Sequence, residues 1–311
     1  IEYCTMQTKN VLLIQSLLAA ALAFGWYAIS LYPQRRVLTW FEIATDGMAP
    51  DFFAEDSRRV LGRFWMRAFQ GGHMQDVVQA VAHHVNSRRA DVIELAAGAG
   101  DAAALWNQAL AKQGSSVRTV LTDLQPIPDT WKGVADSYSN ISYVNQPVDA
   151  TAVADTVKQH YPDWAEDDAV EIRMIHFALH HLTPNVAKEL VKDAVQSNAI
   201  LVVGDLTPSI ENVFLTGLTA FYEMHWAIPT LLKEQPWKLA MLTLLPAILF
   251  MVIHDGAVST LRSYSHKEIE NMLEEYTSSY QVQSFSLYNL ADHFRLPLPF
   301  LKKPHIQFFV A

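Results

Sequence analysis

The chain has 311 residues, 50% of them hydrophobic and 18% charged, with a formal net charge of -9. This excludes disorder as the dominant state and gives enough chain for one large domain or two ordinary ones. Lysine and arginine total 23 against 32 acidic residues, with no basic run longer than a doublet, so the chain lacks an electrostatic footprint for nucleic acid. A single cysteine, Cys4, excludes an intrachain disulfide framework and a cysteine-rich zinc site. The charged fraction lies below the roughly 25% of ordinary soluble domains, so some apolar surface is expected to face something other than water.

Val11 to Tyr32 is almost wholly apolar, flanked by Lys9 and by Arg35 with Arg36 beyond Pro33. A bilayer span needs about 20 such residues, so a single-pass anchor is expected within residues 1–36, with Trp26, Tyr27 and Tyr32 at the interface. The basic flanks put the bulk of the chain on the cytosolic side. A cleaved signal peptide ending near Ala21-Leu22-Ala23 is the rival reading, and Met6 is an alternative start. Residues 37–90 read as a helical cap, with Trp40-Phe41-Glu42 and Asp51-Phe52-Phe53 either roofing a site or serving as core aromatics. His73 falls in a loop and His83-His84 at a solvated helix end, without zinc-ligand spacing.

From Asp91 onward short β-like runs alternate with helical stretches, which predicts a doubly wound, mostly parallel α/β sheet of the Rossmann type. The expected strands are Asp91–Leu95, Val117–Asp123, Ile141–Val144, Val170–Ile175 and Ile200–Gly204. Helices are expected at Asp101–Lys112, Thr151–His160 and Asn185–Ser197. An apolar helical insert follows at 206–264. Its two segments, Ile210–Leu232 and Trp237–Ile253, are read as interfacial, as re-entrant or as a cover over a greasy site, and equally as a buried insert. Tyr222, Glu223 and His225 lie on the first segment, while His254-Asp255-Gly256 is expected to end the second, just before Arg262. Ser265 opens a helix with Glu268 at the capping-box position, and two strands, Gln281–Tyr288 and His305–Val310, close the sheet with an antiparallel edge.

The chemistry concentrates in Glu94-Leu-Ala-Ala-Gly98-Ala-Gly100, at a strand-to-helix turn. Glycines there let a backbone approach a ligand and expose helix N-terminal N–H groups. Gly98, Gly100 and Ala103 also satisfy a dinucleotide-binding spacing, with Asp123 about 20 residues on, so this turn alone leaves the cofactor open. Asp123 at a strand end suits two ribose hydroxyls; it also suits an ordinary turn before Gln125-Pro126.

The series Glu94-x-x-x-Gly98-x-Gly100, Asp123, Val148-Asp149-Ala150 and Phe177-Ala-Leu-His180-His181-Leu182 resembles the motifs of class I S-adenosylmethionine-dependent methyltransferases. The terminal strand pair fits that family too. The resemblance implies S-adenosylmethionine as cofactor, with Glu94 on the methionine amino group, Gly98 and Gly100 along methionine and ribose, Asp123 on the ribose hydroxyls and Asp149 on the adenine amine. Ala96, Leu124 and Ala150 belong to the same cofactor-facing set. Ala96 and Ala97 stand where glycine, cysteine or serine is frequent in the family, and the insert is longer than the minimal fold. His180 and His181 are the candidate bases, at a strand end where open sheets place ligands; a structural role at the cofactor edge is the alternative.

The expected activity is a membrane-anchored methyltransferase acting on a small, lipophilic acceptor, with membrane lipid as a partner and no metal. A nicotinamide-dependent oxidoreductase and a non-catalytic membrane-tethered interaction module are the rivals.

Overall fold

A computed structural model of the chain describes residues 69, 74–164, 168–209, 212–213, 245–276, 282–287 and 306–311. The apolar segment 11–32, the aromatics of 40–53, His73, and Tyr222, Glu223 and His225 lie outside the described residues. Among the described residues no helix is long and apolar enough to cross a membrane.

The elements are α1 (Gln75–Val85), β1 (Arg89–Leu95), α2 (Asp101–Lys112), β2 (Ser116–Leu121), α3 (Pro128–Ser137), β3 (Ile141–Tyr143), α4 (Val153–His160), β4 (Ala169–His176), α5 (Pro184–Gln196), β5 (Ile200–Leu206), α6 (Leu245–Arg262), α7 (His266–Glu274), β6 (Gln283–Leu287) and β7 (Ile306–Val310). The strands form one sheet in the order β3-β2-β1-β4-β5-β7-β6. Strands β1 to β5 pair in parallel, and β7 runs antiparallel to both β5 and β6. The antiparallel strand is therefore not the edge, as the sequence suggested; β7 inserts between β5 and β6, and β6 takes the outside position.

The chain divides into two compact units, Ile1–Asp46 with Pro208–Arg262, and Gly47–Thr207 with Ser263–Ala311. The sheet belongs entirely to the second. Its central strands are buried on both faces, as parallel strands covered by helices require. On one side Val92, Met174 and Val202 pack with Val77 and Val81 of α1 and Trp106 and Leu110 of α2. On the other, Ile93, Val120 and Val203 pack with Val157 of α4, Leu190 and Val191 of α5 and Ile269 of α7. The capping box of α7 forms as the sequence predicts: Ser265 accepts the Glu268 N–H, and Glu268 accepts the Ser265 N–H at 2.8 Å.

One helix was not expected. α3 has only Trp131 as a fully buried anchor and carries Gly133 inside it, so its apolar periodicity is too thin to read, although Pro128 at its first position is a start signal. In the other unit α6 does not stop at His254-Asp255-Gly256. The helix runs on to Arg262, with Ala257, Val258 and Leu261 buried and the Ser259 and Thr260 hydroxyls donating back to the carbonyls of Asp255 and Gly256.

Charged pairs set the sheet from below and within. Asp91, wholly buried in β1, accepts from Arg118 of β2 at 3.1 and 2.7 Å and from Arg89 at 3.2 Å. In the middle of β4 the fully buried Arg173 donates to Glu171 at 2.8 Å and to Asp193 of α5, tying the strand that ends at the candidate site to its covering helix. Replacing Arg173 by methionine strands the Glu171 carboxylate in the interior, which costs about 3–5 kcal/mol. Urea unfolding of Arg173→Met checks this; a loss below 1 kcal/mol would mean the network contributes little.

Candidate active site

Open α/β sheets bind ligands outside the carboxyl ends of their strands, where the strand order reverses. Here that point lies between β1 and β4. After Leu95 the backbone turns sharply: Ala96, Gly98 and Gly100 all take positive φ, +50°, +53° and +83°. The Gly100 N–H closes the turn on the Ala97 carbonyl at 2.8 Å, and α2 begins at Asp101. The two glycines differ in kind. A Cβ on Gly100 would lie 3.0 Å from the Leu121 side chain, so this glycine serves close packing, whereas a Cβ on Gly98 would meet nothing within 4 Å among the described residues. The buried Trp131 indole holds the turn from behind, donating to the Gly98 carbonyl at 2.7 Å, which gives α3 its purpose.

The next strand end comes to the same turn. Asp123 accepts the Gly98 N–H at 3.1 Å through Oδ2 and the Gln125 N–H at 2.9 Å through Oδ1. The local turn that the sequence offered as an alternative is thus formed alongside the approach to the glycines. Leu124 is 66% exposed, a large apolar side chain displayed beside Asp123. The loop after β3 is stitched to this edge by the Val148 N–H on the Asp123 carbonyl. There Asp149 is exposed, and its Oδ1 accepts from both the N–H and the hydroxyl of Thr151, while Ala150 packs on the core beneath.

Glu94, near the end of β1, is 2% exposed. Its Oε1 lies 2.6 Å from Nδ1 of His176, the last residue of β4, and Nε2 of that imidazole accepts the Trp106 indole N–H at 2.9 Å. Its other oxygen, Oε2, is buried without a hydrogen-bond partner among the described residues. A buried carboxylate oxygen left unsatisfied is costly, and such a group marks a place for a ligand donor.

Past β4 the short helical turn Leu179–His181 carries the histidine pair. His180 is buried; its N–H donates to Asp205 Oδ2 at 3.2 Å and its Nδ1 lies 2.8 Å from Asp205 Oδ1. Asp205, near the end of β5, also accepts from the Leu206 N–H and the Ser263 hydroxyl. A carboxylate accepts, so His180 Nδ1–H is the donor of the bond to Asp205 Oδ1. His181 is half-buried, its ring 4.3 Å from that of His180.

The expected residues therefore gather in two groups. Glu94, Ala96, Gly98, Gly100, Asp123 and Leu124 share the ends of β1 and β2, with Asp149 and Ala150 on the adjoining loop; His180 and His181 lie over the ends of β4 and β5. His176, Trp106, Asp205 and Trp131 were not anticipated. A polar residue near the carboxyl end of a parallel strand is the signal that marks His176 and Asp205. Among the described residues no cluster of three or more histidine, cysteine, aspartate or glutamate side chains is arranged to hold a metal.

No protein-family model matches the chain, and no curated protein matches it. Solved structures do resemble it. An O-methyltransferase family protein from Burkholderia thailandensis is 14% identical, with a TM-score of 0.46 over 94% of this chain and 69% of that one. Mitomycin 7-O-methyltransferase is 12% identical, with a TM-score of 0.45 over 92% of this chain and 67% of its own. A S-adenosylmethionine-dependent methyltransferase from Aquifex aeolicus is 12% identical, with a TM-score of 0.40 over 75% and 88%. With its parallel core, its glycine turn after β1 and the antiparallel β7 between β5 and β6, the sheet is of the doubly wound, Rossmann-like kind.

The two glycines make distinct predictions. Alanine at a left-handed position costs about 1–2 kcal/mol, and overpacking adds about 1–3 kcal/mol. Gly100→Ala should therefore lose clearly more stability in urea than Gly98→Ala. Equal losses would show that the close approach of Leu121 to Gly100 is not a constraint.

Proposed function

We propose that the chain is a class I methyltransferase that uses S-adenosylmethionine to methylate a small-molecule acceptor. The observation that carries the reading is the buried, unsatisfied Oε2 of Glu94 next to an open glycine turn. A carboxylate so placed calls for a cationic donor, and the α-amino group of the cofactor is one. The other residues fit the same occupant. Each Asp123 oxygen keeps a lone pair beyond its backbone bond, enough to accept ribose hydroxyls. Leu124 gives apolar cover to a purine, and Asp149 has Oδ2 for an exocyclic amine. Ala96 and Ala150 contribute backbone and small side chains that leave room. Bound there, the cofactor supplies an electrophilic methyl group on sulfur.

What remains for the protein is to place the acceptor in line and to take its proton. His180 has the arrangement of a base: Asp205 holds Nδ1–H, so Nε2 receives the acceptor proton and the carboxylate then stabilises the imidazolium. His181 stands beside it as a lesser candidate. Membrane attachment through residues 11–32, with the catalytic part on the cytosolic side, and a lipophilic acceptor are proposed on the apolar sequence segments alone.

Methyl transfer from labelled cofactor to a panel of small hydroxylated and apolar acceptors tests the activity. His180→Ala should lower kcat by about 10²–10⁴-fold with little change in affinity for S-adenosylhomocysteine, and His181→Ala by much less. Equal, small effects would remove His180 from the mechanism. The membrane proposal is checked by flotation: the full chain should rise with phosphatidylcholine vesicles and a chain lacking residues 1–36 should not. Flotation unchanged by the deletion would contradict an N-terminal anchor.

A further inference from the structure

Glu94 is only as useful as its aim, and the residues that aim it lie outside the motifs. The indole N–H of Trp106 is a donor only, so His176 Nε2 must accept. The imidazole proton is then on Nδ1, and His176 donates it to Glu94 Oε1 at 2.6 Å as a neutral ring. The carboxylate is thereby fixed in rotation, with Oε1 bonded to the imidazole and Oε2 without a partner among the described residues.

The chain of contacts is rigid throughout. Trp106 is fully buried and meets Phe69 edge-on, and it sits on α2, the helix that opens at the glycine turn. His176 ends β4, which is in parallel register with β1 through Glu94 opposite Met174. One helix therefore sets both the turn and, through the imidazole, the carboxylate.

We propose that His176, held by Trp106, is a positioning residue that points Glu94 Oε2 at a cationic amine and so makes the site selective for adenosyl ligands carrying a free α-ammonium group. The proposal rests on the methyltransferase reading above. Its test compares two probes on the full chain by calorimetry: S-adenosylhomocysteine, which has the amine, and 5′-methylthioadenosine, which has the same nucleoside and thioether without it. Hydrogen bonds to charged groups carry about 1.5–3 kcal/mol, or roughly 10–100-fold in affinity. His176→Leu should weaken S-adenosylhomocysteine by about that factor and leave 5′-methylthioadenosine within about two-fold. Trp106→Phe should act in the same direction more weakly. His176→Asn, which retains an N–H near the position of Nδ1, should recover most of the loss.

Binding of 5′-methylthioadenosine also reports that each variant is folded. If the wild type binds S-adenosylhomocysteine but His176→Leu weakens both probes equally or neither, the positioning role is overturned while the cofactor reading stands. If the wild type binds neither probe, both fall together.

Discussion

The site is built around a carboxylate buried near the end of a central strand. Glu94 is taken from water by the sheet and its covering helices, and only one of its oxygens is bonded within the described structure. Leaving a charged oxygen unsatisfied works against folding, so the surroundings must over-determine its position. They do so through Trp106 and His176 on one side and the glycine turn on the other. The three positive-φ positions after β1 are part of the same constraint, because the chain must turn away quickly enough to leave room in front of the carboxylate.

The sheet explains why this arrangement forms where it does. β1 and β4 are neighbours in space yet distant in sequence, so Glu94 and His176 meet only once the parallel pairing is complete. The same holds for β4 and β5, which carry His180 and Asp205 to each other. Two acid–histidine pairs thus arise from one topological feature, polar residues set at adjacent strand ends. His176 bonds both Glu94 and the Trp106 indole, whereas His180 bonds Asp205 through Nδ1 and through its backbone N–H.

Much of this was legible in the residues. The strands of the parallel core fall within a residue or two of where alternation placed them, and α2 occupies Asp101–Lys112 as read. The glycine turn and Asp123, both singled out in the sequence, lie together, with the Gly98 N–H on the Asp123 carboxylate. What escaped had physical reasons. α3 has a single deep anchor, so no periodic stripe announced it. The place of β7 inside the sheet depends on pairing with β5, which no local pattern encodes. His176 and Asp205 were hidden because each lies one residue past the stretch read as its strand, Val170–Ile175 and Ile200–Gly204. The stop expected at His254-Asp255-Gly256 failed because buried apolar residues, Ala257, Val258 and Leu261, follow the glycine at helical spacing.

The proposed occupant of the turn and its carboxylates is an adenosyl amino acid, and the test is calorimetric titration of the full chain with S-adenosylhomocysteine, with NADH as the competitor and Asp123→Ala as the control. Saturable binding of S-adenosylhomocysteine that NADH does not displace and that the substitution removes is the expected result. Absence of binding in a folded sample, or displacement by NADH, would contradict it.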